Sequence, residues 1–446
     1  MPLKILLVSD HYPPFIGGAH RQTQLLGQEL HRRGHEVCVA TTWSGGLPET
    51  EDDDGVRVFR LKQIRTAVRG LVRDRNQRHQ PPFPDPITTI GLRRLIKRWR
   101  PDVIHAYGWI SYSVAAALLG LNIPLLISAR DYGYSCATRT LVYQGRETCT
   151  GPELARCLSC AANLYGAPKG WVATLSLFLG RALLKRKVHG FHSISTYVQE
   201  TSRRDFLNER RSVSRTGAHA IAEVIIPSFR EDDAWRCYSE DPRIRNYTDQ
   251  LPAGDFILYV GALRRVKGVN QLLEAYQGLN SPPPLVLVGP MEFDSPRRFP
   301  PGVLVLQNLP HDAVMAAWER CLFGVIPSLW PEPLGSVVYE GMSRGKAVIG
   351  TAPGGHADMI IPEETGLLVP AGDVKALARA MNDLIGQPAV RERFGRAAQE
   401  RARLFTASIA VPQFERFYQL LIDRSAGFAA RGVDLEIVDE ARSSHV

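Results

Sequence analysis

The sequence predicts an α/β protein built as two parallel-sheet domains. Three observations carry that expectation. Short apolar runs alternate with helical patterns along most of the chain, as strand–helix–strand units of a parallel sheet require. The pattern restarts once, after a polar, aperiodic stretch at 230–254. The chain has 446 residues, many for one core and natural for two.

The strand candidates of the first half are Lys4–Ser9, Glu36–Thr42, Val56–Leu61, Asp102–Ala106, Pro124–Ala129 and Gly190–Ser195. Their continuous apolar character suits strands buried on both faces. A helix over Arg21–Arg33 ends at Gly34, a residue suited to a helix C-terminus. The second half offers Phe256–Gly261, Leu285–Gly289, Val303–Gln307, Leu322–Ser328, Ala347–Thr351 and Gly366–Val369. We therefore expect two Rossmann-like domains, 1–227 and 228–405, joined near Pro227. A C-terminal helix over 406–424, free to return to the first domain, closes the fold. The tail at 425–446 is polar and aperiodic, and is expected to be disordered. Ligands of open α/β sheets bind at the C-terminal strand ends, so two such domains facing each other enclose a deep cleft.

Composition narrows the class. Hydrophobic residues are 44% and charged residues 22%, an ordinary globular balance. The opening run MPLKILLVSD is too short for a secretory signal, and reads as a first strand. The longest apolar stretch, 114–129, is broken by Gly120, Asn122 and Pro124. It falls short of a bilayer span of ~20 residues. These features point to the cytoplasm. Net charge is +9, and thirteen Lys/Arg stand between Arg57 and Arg100 against Asp74 and Asp85. That stretch fits anionic lipid headgroups, an anionic substrate, or simply a solvated Arg-rich helix and loop. It matches no nucleic-acid module, so no nucleic-acid partner is expected. Residues 169–190 mix Trp171, Leu177, Phe178 and Leu184 with Arg181, Lys185, Arg186 and Lys187. They read as a domain helix with a basic last turn, or as an interfacial helix in peripheral contact with the inner face of the membrane.

The stretch PSLWPEPLGSVVYEGM, residues 327–342, carries two acids with seven residues between them. Pro331 and Pro333 flank Glu332 and keep it out of a helix. Gly335 and Ser336 then offer a helix start, with Glu340 inside that helix. The expected order is strand, bent loop with one acid, helix with another. Two further segments would line the cleft. Gly17–Gly18 after the first strand let the backbone approach a phosphate before a helix N-terminus, although a paired glycine is also a plain turn. In YVGALRRVKG, Lys267 stands at the next strand–helix junction after Arg264 and Arg265, placed to neutralise a diphosphate or to form a solvated basic turn.

Together the Gly-Gly loop, VIHAYG, VGALRRVKG and PSLWPEPLGSVVYEGMSRGKAVIGTAPGG resemble a family-4 (GT4) glycosyltransferase of the GT-B fold over about residues 3–424. The last segment matches the family's E-x7-E pattern. The resemblance implies retaining transfer of a sugar from a nucleotide sugar, UDP- or GDP-linked, to an acceptor hydroxyl, with no catalytic metal required. The acceptor would be a glycan, a lipid-linked saccharide or a small metabolite. By this resemblance Glu332 contacts the donor sugar, assisted by the backbone at Leu334, Gly335 and Ser336. Glu340 takes the ribose, Lys267 takes the departing diphosphate, and Gly17 and Gly18 bring backbone donors near it.

Two positions depart from the family pattern. Ala262 stands where an arginine often follows the glycine, leaving Arg264 or Arg265 to take its phosphate contact. Arg130, followed by Asp131, stands where many members carry a histidine. An arginine stays protonated and is no base, so Arg130 would bind an anionic group and Asp131 would orient the acceptor. His105 matches a further position on the acceptor side, with a structural histidine as the alternative. Rival readings are a sugar-nucleotide epimerase and a non-catalytic sugar-nucleotide or glycan-binding protein of the same fold.

Four of the seven cysteines cluster: Cys136, Cys149, Cys157 and Cys160, an insert over 136–160 that closes with C-x-x-C. Structural zinc is the favoured reading. Reduced free thiols, an iron–sulfur cluster or a redox pair are the alternatives. Cys38, Cys237 and Cys321 read as isolated apolar residues.

Overall fold

A computed structural model describes residues 2–14, 18–64, 81–145, 147–207, 221–232 and 237–427. Gly17, the middle of the basic stretch at 65–80 and the tail from 428 lie outside the described residues. The chain divides into two compact units: residues up to Pro227 together with the chain from Ala407 onward, and Ser228–Thr406.

The first unit holds an eight-stranded sheet: β1 (Lys4–Ser9), β2 (Glu36–Thr42), β3 (Thr50–Asp53), β4 (Val56–Leu61), β5 (Val103–Tyr107), β6 (Leu125–Ala129), β9 (Gly190–Ser193) and β10 (Ala222–Ile225). A separate hairpin, β7 (Val142–Tyr143) and β8 (Glu147–Thr148), lies between β6 and β9. The order is β10-β9-β6-β5-β1-β2-β4-β3, parallel except for β3 against β4. Central strands are buried on both faces, Ile5–Val8 completely so, which is why they read as unbroken apolar runs. Among its helices are α1 (Gly18–Arg32), α2 (Leu154–Tyr165) and α3 (Ala167–Lys187). Gly18 lies in the first turn of α1, so that helix begins three residues before the predicted Arg21.

The second unit holds a parallel sheet of β11 (Ile257–Val260), β12 (Leu285–Val288), β13 (Val303–Leu306), β14 (Phe323–Val325), β15 (Val348–Ala352) and β16 (Gly366–Pro370). Its order is β13-β12-β11-β14-β15-β16. Counted from β11 this is 3-2-1-4-5-6, the doubly wound order with a switch point between β11 and β14. The helices used below are α4 (Val269–Gln277) and α5 (Ser336–Ser343). The last helix, α6 (Ala407–Ser425), belongs to the first unit.

Several predicted strands are shorter in the structure, two of them for a clear local reason. Leu322–Ser328 contracts to Phe323–Val325; Pro327 has no N–H with which to extend the ladder. Gly190–Ser195 ends at Ser193 because the Ser195 hydroxyl accepts the Val198 N–H and caps the next helix. Strands β3, β7, β8 and β10 were absent from the sequence expectation. The first is acidic TEDD on an edge, and the hairpin strands are two residues each, too short for periodicity to register.

α6 is anchored through a buried polar chain whose proton positions follow from its far end. His192 Nε2 lies 2.7 Å from the Ile226 carbonyl, which can only accept. So His192 Nδ1 accepts from Ser128 Oγ at 2.6 Å. Ser128 Oγ in turn accepts from His105 Nε2 at 2.6 Å, and His105 Nδ1 accepts from Tyr418 Oη at 2.7 Å. Every member is satisfied with both imidazoles neutral. His105 is fully buried here, which favours the structural alternative over the expected place on the acceptor side.

Burial pushes both histidines down, His105 well below its usual value and His192 to about 3. Their stabilising contribution is complete above the unfolded value near 6.5 and is lost as pH falls below it, where the unfolded chain takes up protons that the folded chain refuses. The unfolding free energy should therefore fall between pH 7 and pH 5, by up to about 1.4 kcal/mol per histidine per pH unit, and the urea midpoint with it. His192→Gln should flatten that slope. A midpoint indifferent to pH over this range would contradict the neutral chain.

Candidate functional site

Lys267 and Glu332 come from neighbouring strands on the two sides of the second sheet's switch point. The loop after β11 turns through Arg265–Lys267, and Gly268 follows at φ +73°. A Cβ at Gly268 would lie 1.8 Å from the Pro327 carbonyl oxygen, so only glycine lets this loop touch the one after β14. Across that contact Lys267 Nζ donates to Glu332 Oε1 at 2.6 Å. Ser328 Oγ donates to the same oxygen at 2.6 Å. The ammonium also stands 5.0 Å from the centre of the Trp330 ring. Glu332 is only 6% exposed. Burial pushes its carboxyl up, but the Lys267 charge and the hydrogen bonds outweigh burial and hold the pKa below the usual carboxylate range.

The Glu332 loop rests on the segment after β15. The Gly355 N–H donates to the Glu332 carbonyl at 2.6 Å, and a Cβ at Gly355 would stand 2.2 Å from the Pro333 carbonyl oxygen. His356 follows, fully buried; its Nδ1 accepts from the Thr351 N–H at 3.1 Å. Burial lowers its pKa, so it is neutral and carries its proton on Nε2. That Nε2 meets no protein acceptor, and it would lie 2.7 Å from a Cβ at Gly335. A buried donor is thereby set under the start of α5.

Glu340 projects from α5. Its Oε1 accepts from Arg230 at 2.9 Å and lies 3.3 Å from His311 Nε2. Burial again pushes the carboxyl up, and the His311 hydrogen bond with the Arg230 charge holds it down. The second unit thus keeps two buried carboxylates ionised, one on the loop and one on the helix. Leu334 is buried, Gly335 takes a left-handed conformation (φ +83°), and Ser336 is exposed at the first turn of α5. Arg264 does not join the Lys267–Glu332 pair: it faces Asp294 at 3.4 Å and the Phe293 ring. Arg265 is exposed on the turn before Lys267. Ser328, Arg230, His311 and His356 escaped the sequence reading. The run GGH at 354–356 was the local signal for His356, and Ser328 stands four residues before Glu332 in the same loop; Arg230 and His311 are brought in by tertiary packing alone.

The corresponding switch point of the first sheet lies between β1 and β5. Asp10, just after β1, accepts the Ile110 N–H at 2.8 Å and the Trp109 N–H at 3.1 Å. It lines a pocket with Tyr107, Trp109, Arg130, Asp131 and Arg139. Burial raises Asp10 to about 6, within reach of proton exchange near neutral pH. Sequence reading missed this acid. Asp131 accepts from Arg139 Nε at 2.9 Å and from the Gly133 N–H at 2.8 Å. Burial lowers Arg130 to about 10, so it stays charged at neutral pH. The pocket therefore joins two acids and two guanidinium groups. Cys136, Cys149, Cys157 and Cys160 line one small separate pocket. Among the described residues no three His, Cys, Asp or Glu side chains stand in a metal-holding arrangement.

The Lys267–Glu332 pair makes a measurable claim. Urea unfolding of Lys267→Ala, Glu332→Gln and the double variant should give a coupling of about 1–3 kcal/mol, because removing the cation alone strands a buried carboxylate. A coupling below about 0.5 kcal/mol would mean that the two groups are held independently.

Comparison with known proteins agrees with this architecture. The family described as "Glycosyl transferase 4-like domain" matches residues 17–217, and "Glycosyl transferases group 1" matches residues 244–401. A glycogen synthase of Mycobacterium tuberculosis is 24% identical over 433 residues, 90% of either chain. Sucrose-phosphate synthase from Thermosynechococcus elongatus superposes with a TM-score of 0.70 at 22% identity, covering 94% of this chain and 99% of that one. Anabaena HepE, solved with UDP and glucose, gives 0.63 at 15% identity, covering 94% and 100%. The two matches cover most strands of the first sheet and all of the second, and the chain belongs to the glycosyltransferases of the GT4 type, with the GT-B fold.

Proposed function

We propose that the protein transfers a sugar from a nucleoside-diphosphate sugar to an acceptor hydroxyl with retention of configuration, in polysaccharide, glycolipid or cell-envelope glycan synthesis. The observation that carries this reading is the Lys267–Glu332 pair, 2.6 Å apart at the switch point of the second sheet, beside the left-handed Gly335 that starts α5. Residues 228–405 would hold the nucleotide sugar, and residues 1–227 the acceptor. In the reaction the bond from the anomeric carbon to the diphosphate oxygen breaks. The acceptor oxygen bonds to that carbon from the same face, and its proton passes to the departing phosphate. Negative charge grows on the leaving oxygen, where Lys267 and the backbone dipoles near Gly335 are already oriented. Glu332 supports the positive character of the anomeric carbon, which favours a nearby carboxylate. Glu340 accepts from the ribose. Gly17, Gly18, Arg264 and Arg265 are assigned to the diphosphate side, Arg130 and Asp131 to the acceptor.

The donor is UDP- or GDP-linked in this reading, and HepE, solved with UDP and glucose, supports the former. The acceptor is a glycan or a lipid-linked saccharide. Trp171, Val172, Leu175 and Leu179 are exposed along α3 between Lys169 and Arg186, a composition that suits peripheral contact with an anionic membrane surface. Among the described residues no helix is long and apolar enough to cross a membrane. Contact at the inner face is therefore the arrangement proposed.

The test is a thermal-shift screen against UDP-, GDP- and ADP-sugars, with Glu340→Ala beside the wild type. A donor at about a hundred times its Kd adds about 2.7 kcal/mol to stability by mass action. One nucleotide series should raise the wild-type midpoint and leave Glu340→Ala unmoved. No response to any series at millimolar concentration would overturn the donor assignment. Retention is read separately, from the anomeric configuration of product against donor.

A further inference from the structure

The cysteine insert carries an inference that the transfer reaction does not use. Cys136 lies in the loop after β6, Cys149 directly after β8, and Cys157 with Cys160 one turn apart on α2. Although 24 residues separate the first from the last in sequence, all four line one pocket. The backbone is arranged to bring them there. The Cys149 N–H donates to the Leu141 carbonyl at 2.7 Å, folding the chain back across the hairpin. At the hairpin tip Gln144 and Gly145 adopt left-handed conformations, φ +49° and +72°. That turn aims the Gln144 N–H at Cys160 Sγ, 3.3 Å away. An amide donating to a sulfur stabilises negative charge there, as a thiolate ligand requires.

The insert's own core is small. Its apolar cluster is Ala137, Ala161 and Leu177, with Tyr165 packed against it, and Leu141 and Val142 are buried at the hairpin. The hairpin strands are two residues each. A cross-link among the four cysteines would add to this modest packing. Positive charge is also at hand. The Arg156 side chain lines the pocket, and Arg181 donates to the Ser135 carbonyl, next to Cys136, at 3.0 Å. Four thiolates around a divalent ion carry a net charge of about −2, which such cations offset.

We propose that Cys136, Cys149, Cys157 and Cys160 form a tetrathiolate site for a thiophilic divalent cation, zinc, that cross-links the loop after β6, the hairpin and α2. Without the metal the sulfurs face separate partners: Cys136 meets Thr138 Oγ1 at 3.1 Å, Cys149 the Gly151 carbonyl at 3.4 Å and Cys160 the Val142 carbonyl at 3.8 Å. Binding turns them inward to the tetrahedral distance of about 2.3 Å. Each thiol gives up its proton to solvent as the metal enters, and no electrons move. The cross-link fixes Cys136, five residues beyond Asp131, and so steadies the loop whose Asp131 and Arg139 line the first-unit pocket.

The test uses the full chain, expressed with zinc in the medium and purified under reducing conditions without chelator. Elemental analysis should find about one zinc per chain. A mercurial titration of the wild type should release that zinc as the thiols react. Cobalt substitution should give thiolate-to-metal charge-transfer absorption. Cys157→Ser/Cys160→Ser should lose both metal and absorption; if that variant does not fold, the wild-type titration still decides. Chains that hold no zinc after incubation with it, chains whose clustered cysteines are disulfide-bonded, or chains that hold iron with acid-labile sulfide would each overturn the proposal.

Discussion

A carboxylate can be buried and ionised only where a cation or several donors meet it, and the second unit is organised around doing this twice. Glu332 and Glu340 are both 6% exposed. Each would take up a proton if burial acted alone. Lys267 and Ser328 prevent it at the first, Arg230 and His311 at the second. Lys267, Arg230 and His311 come from elements distant in the chain from the acids they meet, so these ion pairs form only when the sheet order is in place. The glycines follow from the same demand. Gly268 and Gly355 are the points where loops approach closely enough to deliver Lys267 and to support the backbone of Glu332. Side chains there would separate the pairs.

The first unit uses the opposite arrangement at its centre. Tyr418, His105, Ser128 and His192 form a chain of neutral donors and acceptors that ends on a backbone carbonyl. No charge is needed, so no counter-charge is buried. The chain runs from α6 across β6 to β9, and it ties the last helix to strands formed some three hundred residues earlier. Charge is kept instead at the end of the sheet, where Asp10, Asp131, Arg130 and Arg139 share a pocket. Asp131 is already engaged by Arg139. Any group entering this pocket would compete for a formed ion pair rather than meet two free groups.

Much of this was legible in the residues. Continuous apolar runs identified the parallel strands because burial on both faces leaves no alternation to preserve. The restart after 254 marked a second sheet, because a pattern of strands and helices shows its own period. Prolines around Glu332 placed that acid on a loop, and the spacing to Glu340 put the second on a helix. Lys267 stood at a strand–helix junction that a solvated basic turn would explain as well, and the resemblance to the family singled it out. The acidic edge strand β3 and the two-residue hairpin strands were not legible, since pairing with a neighbour, not local propensity, creates them.

Residue type and spacing determined the fold class and the two-sheet division, and placed Glu332 on a loop, Glu340 on a helix and Lys267 at a strand–helix junction, because these depend on local periodicity and on what proline and glycine permit. Tertiary structure alone decided the partners. It put His105 into the core, turned Arg264 to Asp294, brought Arg230 and His311 to Glu340, and set His356 beneath the start of α5. Those outcomes depend on which strands lie side by side and how closely loops approach across a switch point, a long-range property that no window of the sequence contains.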